Sequence, residues 1–127
     1  MNWAEHHGDS ERLASEAGAA IRRGDLQLAA ELFGSAAQAE VKALATLGPD
    51  KPRTLGITAV SAVALLYKAG ELNEAERLAH HVSTLPGLPA FAIDELHGLL
   101  QAIGSRQAQQ TAKVAFADPT GNPASAP

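Results

Sequence analysis

Five histidines, His6, His7, His80, His81 and His97, are the side chains of this chain best suited to hold a metal or move a proton. A zinc site needs three or four ligands converging on one point. Adjacent residues on a helix point in different directions, so His80 and His81 cannot share one ion. There is no cysteine to complete a ligand set and no H-E-x-x-H pattern. The expectation is exposed histidines, with no metal and no other cofactor. Nucleophilic chemistry has as little support. Ser61 and Ser83 have no base at a recognisable spacing, the carboxylates sit mainly at helix starts or on polar faces, and no glycine-rich phosphate loop is present. The residues read as non-enzymatic.

Arg22, Arg23, Lys51, Arg53 and Lys68 belong to a stretch, residues 22 to 68, that carries most of the positive charge. They admit two readings, an anion-accepting rim or solvated charges at loops and helix ends, and the second is favoured because isolated surface charges contribute little. A net charge of −4 and a pI near 5.7 remove the simplest case for nucleic-acid binding, which needs a concentrated basic face to displace counterions. Tyr67 fits two roles equally, a groove anchor or a half-buried core aromatic, since its ring is apolar and its tip polar.

These residues must be held by helices. Alanine dominates, aromatics are 4%, and β-branched residues are sparse outside Ile57 to Val63, a composition that favours closely packed helices over sheet. The chain of 127 residues is the size of one domain. Its centre is Thr54 to Tyr67, 14 residues without a charge and apolar on every face, which predicts a core helix covered from several sides. The segment falls short of the roughly 18 apolar residues of a membrane span. The polar, acidic start MNWAEHHGDSER lacks the basic flank and apolar run of a signal peptide. Together with the missing cysteine, it leads to an expected cytoplasmic location.

In order, residues 1–9 read as a loose lead-in, and Asp9 or Ser10 as the cap of a first helix with a stripe of Leu13, Ala14, Ala17, Ala20 and Ile21. Gly24 ends it. Asp25 caps a second helix carrying Leu26, Ala29, Leu32, Phe33, Ala36, Leu44 and Leu47 as far as Gly48, with Gly34 marking a close helix contact. Pro52 suits the first turn of a third helix running to Ala69. Gly70 turns the chain into a fourth, with Ala75, Leu78, Ala79, Val82 and Leu85 inward. PGLP at 86–89 closes that helix, and a fifth presents Phe91, Leu96, Leu99, Leu100 and Ile103. The helical domain spans 10–104. Residues 105–127 read as a weakly structured to disordered tail, with a short frayed helix over SRQAQQTAKVAFA at most.

Aligning Gly24 with Gly70 sets IRRGDLQLAAELF against LYKAGELNEAERLA: a helix, a glycine turn, an acidic residue, leucine, then alanine. The offset is 70 − 24 = 46 residues. This pattern resembles the tetratricopeptide repeat, whose ordinary unit is about 34 residues, and the longer spacing with VSAVALLYKAGELNEAERL is similar to the kinesin-light-chain type. The resemblance covers residues 13 to 85. It implies an all-α fold of antiparallel helical hairpins, two repeats plus a C-terminal capping helix, in a right-handed superhelix. It also implies a groove, lined by the first helices of the hairpins, that binds a partner peptide or helix. Carried over through the turn glycines, the lining comprises Ala14, Gly18, Ile21 and Arg22, then Ile57, Val60, Ser61, Ala64, Tyr67 and Lys68, with Lys51 and Arg53 in the preceding loop. Ser61 and Ala62 stand where such repeats carry asparagines that grip peptide backbone, which favours an apolar groove receiving a helix, the protein's own tail or a second copy of the chain. The function implied is a protein-interaction adaptor. The alternative is a structural protein whose groove mediates homo-oligomerisation.

Overall fold

A computed structural model describes the backbone of residues 1–117 and the side chains of residues 1–114. It is all-helical, in the order α1 (Trp3–Arg22), α2 (Leu26–Leu44), α3 (Pro52–Lys68), α4 (Leu72–Val82) and α5 (Ala90–Ala117). Helix α1 packs on α2, α2 on α3, α3 on both α4 and α5, and α4 on α5. Helix α3 is therefore covered from three sides, and Leu55, Ala59, Ala62, Val63, Leu65 and Leu66 are buried. Alanine makes this packing close: Ala17, Ala36, Ala37, Ala75, Ala79 and Ala92 are wholly buried where the helices face one another. None of the described helices is long and apolar enough to cross a membrane.

The two glycine turns close in the same way. At the first, the Gly24 N–H donates to the Ile21 carbonyl at 2.9 Å and the Asp25 N–H to Ala20 at 2.9 Å. At the second, Gly70 donates to Tyr67 and Glu71 to Leu66, both at 3.0 Å. This pair of bonds satisfies the last carbonyls of a helix and requires a left-handed residue, and the glycines have φ of 80° and 79°. Asp25 then caps α2 by accepting the Leu28 N–H at 3.1 Å. Pro52 occupies the first turn of α3.

Several expected boundaries move. Residues 1–9 are no loose lead-in, because Asn2 caps α1: its side chain accepts from the Glu5 N–H and the Glu5 carboxylate accepts from the Asn2 N–H, both at 2.9 Å. Asp9 and Ser10 consequently lie inside the helix. Helix α2 stops at Leu44 rather than Gly48, where the Thr46 hydroxyl and N–H both turn back to the Ala43 carbonyl. Helix α5 continues past Gly104 to Ala117, so residues 105–117 belong to the domain. Arg106 and Gln107 hold that extension to α3 and α4 through Tyr67, Asn73 and Glu76. The remaining tail residues, 118–127, lie outside the described part.

The apolar stripes also need correction. Ile21, Leu26 and Phe91, expected inward, are exposed. Gly34 faces Ala69 with ordinary room, since a β-carbon there would stand 3.9 Å from the alanine methyl. The close approach lies instead at Gly56, where a β-carbon would meet Pro89 Cγ at 2.8 Å and Phe91 Cζ at 3.0 Å.

Candidate functional site

One side of α3 escapes the cover that α2, α4 and α5 provide. Ile57 is 46% exposed, Val60, Ser61, Ala64 and Tyr67 are half-buried, and Lys68 is exposed. Residues 57, 61, 64 and 68 follow one another at spacings of three and four, so they form one stripe, with 60 and 67 beside it. The structure thus brings together six of the twelve residues singled out from the sequence. Their physical character is a shallow, uncharged strip ending in one cation.

Helix α1 approaches α3 near each of its own ends. At its start, the Trp3 indole N–H donates to the Thr58 hydroxyl at 3.1 Å. At its end, Ile21 shares a cavity of about 240 Å³ with Lys68, Ala69 and Gly70, whose other walls are Leu26, Ala29, Ala30, Phe33 and Arg106. Ala14 and Gly18 are half-buried and Arg22 is exposed. Lys51 and Arg53 are exposed at the opposite end of α3 from Lys68. Fifteen residues of helix separate Arg53 from Lys68, about 22 Å at 1.5 Å per residue. The basic residues therefore do not form one rim.

The cations that do converge are Lys68 and Arg106. Lys68 Nζ lies 5.7 Å from the centroid of the Phe33 ring, and the Arg106 guanidinium 5.0 Å from that of Tyr67. Arg106 Nη1 also donates to the Tyr67 carbonyl at 2.9 Å. This bond satisfies a carbonyl in the last turn of α3, where the helix dipole favours positive charge. Tyr67, packed against the core with Arg106 over its ring, is part of the fold as much as of any groove.

A second cluster, absent from the reading of the sequence, sits where α1, α2 and α3 meet. Glu40 is wholly buried in α2, and His7 Nδ1–H donates to its two carboxylate oxygens at 3.0 and 3.3 Å. The other ring nitrogen of His7 lies 3.4 Å from the exposed Glu11. Trp3 stacks on the imidazole with centroids 4.7 Å apart and planes 10° from parallel. Expected to be solvated, His7 is instead the polar partner of a buried acid. The available signal was Glu40 itself, which falls on the apolar register of α2 between Ala36 and Leu44. The polar groups of Trp3, His7 and Glu40 thus meet one another, Thr58 and Glu11.

A third feature is an apolar cavity of about 270 Å³ between the α2–α3 and α4–α5 connections, walled by Leu44, Leu47, Pro49, Leu55, Leu78 and Leu85 with His81 among its lining residues. Among the described residues no three histidines or carboxylates gather to hold a metal ion. Comparisons of the chain with protein-family models, with curated proteins and with solved structures each find no match.

Proposed function

We propose that this chain is a non-enzymatic protein-interaction module of the tetratricopeptide kind: two elongated helical hairpins, α1–α2 and α3–α4, stacked with a right-handed turn and capped by α5. The matching hydrogen bonds at Gly24 and Gly70 support the pairing of the hairpins. The packing of α5 against both α3 and α4 supports its role as cap. One observation carries the functional reading. The strip Ile57, Val60, Ser61 and Ala64 is left partly open beside α1, yet holds no charge. A face needed only for solubility would carry lysine and glutamate. A partner's amphipathic helix, laid along α1 and α3 with apolar anchors at spacings of three and four, would bury it. Lys51 and Arg53 stand apart from this site.

The test is capture of partners from the source cell by the tagged protein, compared with Ser61→Arg and Ala64→Glu. Both variants should melt within a few degrees of the parent and lose the captured protein. Retention of the same protein by both variants at unchanged yield would remove the groove from the account.

A further inference from the structure

Two exposed patches elsewhere on the molecule are complementary to each other. The first is the cavity at the C-terminal ends of α1 and α3, where Ile21, Leu26 and Phe33 supply apolar wall and Lys68 and Arg106 supply charge. Leu26 is 67% exposed, a high value for a leucine beside a ring and an isoleucine. No carboxylate lines this cavity, and among the described residues neither Lys68 nor Arg106 is in an ion pair. The neighbouring acid Asp25 is engaged in capping α2, and Glu71 stands at the start of α4. A chain of net charge −4 therefore presents a greasy recess with two cations at its edge that no carboxylate pairs among the described residues.

The second patch is the start of α5. Phe91 is 40% exposed, and Asp94 and Glu95, three and four residues on, share its side of the helix. Neither carboxylate is in an ion pair among the described residues. The patch is a knob formed by the open face of an aromatic ring whose tip rests on Gly56, flanked by two anions, and the cavity is an apolar recess flanked by two cations.

We infer that the knob of one copy seats in the recess of a second copy, so that Phe91 meets Ile21, Leu26 and Phe33 while Asp94 and Glu95 reach Lys68 and Arg106. A single chain cannot make this contact. Phe91 packs against Gly56 near the start of α3, and the recess lies at the end of that helix, twelve residues or about 18 Å away. The two surfaces differ, so the contact is head to tail. Each pair leaves one free recess and one free knob, and association continues unless a ring closes. This surface meets the Ser61–Ala64 strip at Lys68, and the inference does not depend on the adaptor reading.

Analytical ultracentrifugation of the purified full chain tests it. The weight-average mass should rise above the 13.1 kDa of one chain through the micromolar to millimolar range, and the rise should shrink as salt screens the ion pairs. Lys68→Glu leaves the knob intact, and the double variant Asp94→Asn/Glu95→Gln leaves the recess intact. Each alone should be monomeric, with the dissociation constant of the contact raised at least tenfold. Mixed in equal amounts, they should form a dimer and stop there, because only one sound contact can be built. Leu26→Asp, at an exposed position, should act like Lys68→Glu and guards against an effect of losing the lysine over Phe33. A wild-type chain that stays monomeric across the range overturns the inference, as does a mixture that stays monomeric or variants that assemble like the parent. Ser61→Arg should assemble normally, which separates this contact from partner capture.

Discussion

Replacing His7 by alanine should be among the more damaging single changes in the protein, although the histidine is partly exposed. Glu40 is 0% exposed, and the imidazole provides the hydrogen bonds its carboxylate receives from side chains among the described residues, at 3.0 and 3.3 Å. Removing one partner of a buried acid–base pair costs about 3–5 kcal/mol, because the other is left uncompensated. The His7 side chain is 27% exposed, so water can enter the vacated space and the lower figure applies. Loss of the ring stacked on Trp3 adds about 0.5–1.5 kcal/mol, giving a total near 4 kcal/mol. At this chain length, that corresponds to a fall in Tm of about 15 °C. The opposite outcome is expected for His7→Phe/Glu40→Leu. That variant keeps an aromatic beneath Trp3 and fills the space of the acid with hydrocarbon, and should lie within about 1 kcal/mol of the parent. Urea unfolding followed by circular dichroism measures all three proteins. A His7→Ala variant within 1 kcal/mol of the parent, or a double variant as unstable as the single one, would refute the account of a buried acid held by its histidine.

Two further changes test the frame. Leu66→Ala should lower stability by about 2–5 kcal/mol in the same urea assay, since the side chain is buried in the central cluster of α3. Gly24→Ala and Gly87→Ala both force a side chain into positive φ, at 80° and 83°, which costs about 1–2 kcal/mol; at Gly87 the added carbon would also stand 2.9 Å from Pro49 Cβ, so its Tm should fall further than that of Gly24→Ala, where the space is open.

Residues with a single physical solution were the legible ones. Gly24 and Gly70 end helices by a bond pair that only a left-handed residue completes, and both ends were read correctly. Gly104 carries the same letter without that demand. A glycine inside a helix costs only about 1 kcal/mol, and the bonds from Arg106 to Tyr67 and from Gln107 to Asn73 and Glu76 help hold α5 through it. The start of α1 was readable, since Asn2 and Glu5 have the spacing of a reciprocal cap, but the more obvious caps Asp9 and Ser10 drew the boundary inward. The union of His7 with Glu40 was not readable at all. They lie 33 residues apart, and their meeting depends on how α1 lies on α2.

Helix α3 shows where a pattern of hydrophobicity stops being informative. An unbroken run without charge, Thr54 to Tyr67, predicts burial on every side, and the large side chains Leu55, Val63, Leu65 and Leu66 obey it. The same run also contains Ile57, Ser61 and Ala64, which the fold leaves partly open. Burial by the chain's own helices and burial by a partner remove the same charges from a sequence, so composition alone cannot separate them. Size separates them here in part: the covered side carries most of the bulk, and the open side falls from isoleucine to serine and alanine along its length. Whatever occupies it should bring its own bulky residues toward the Ala64 end and small ones toward Ile57.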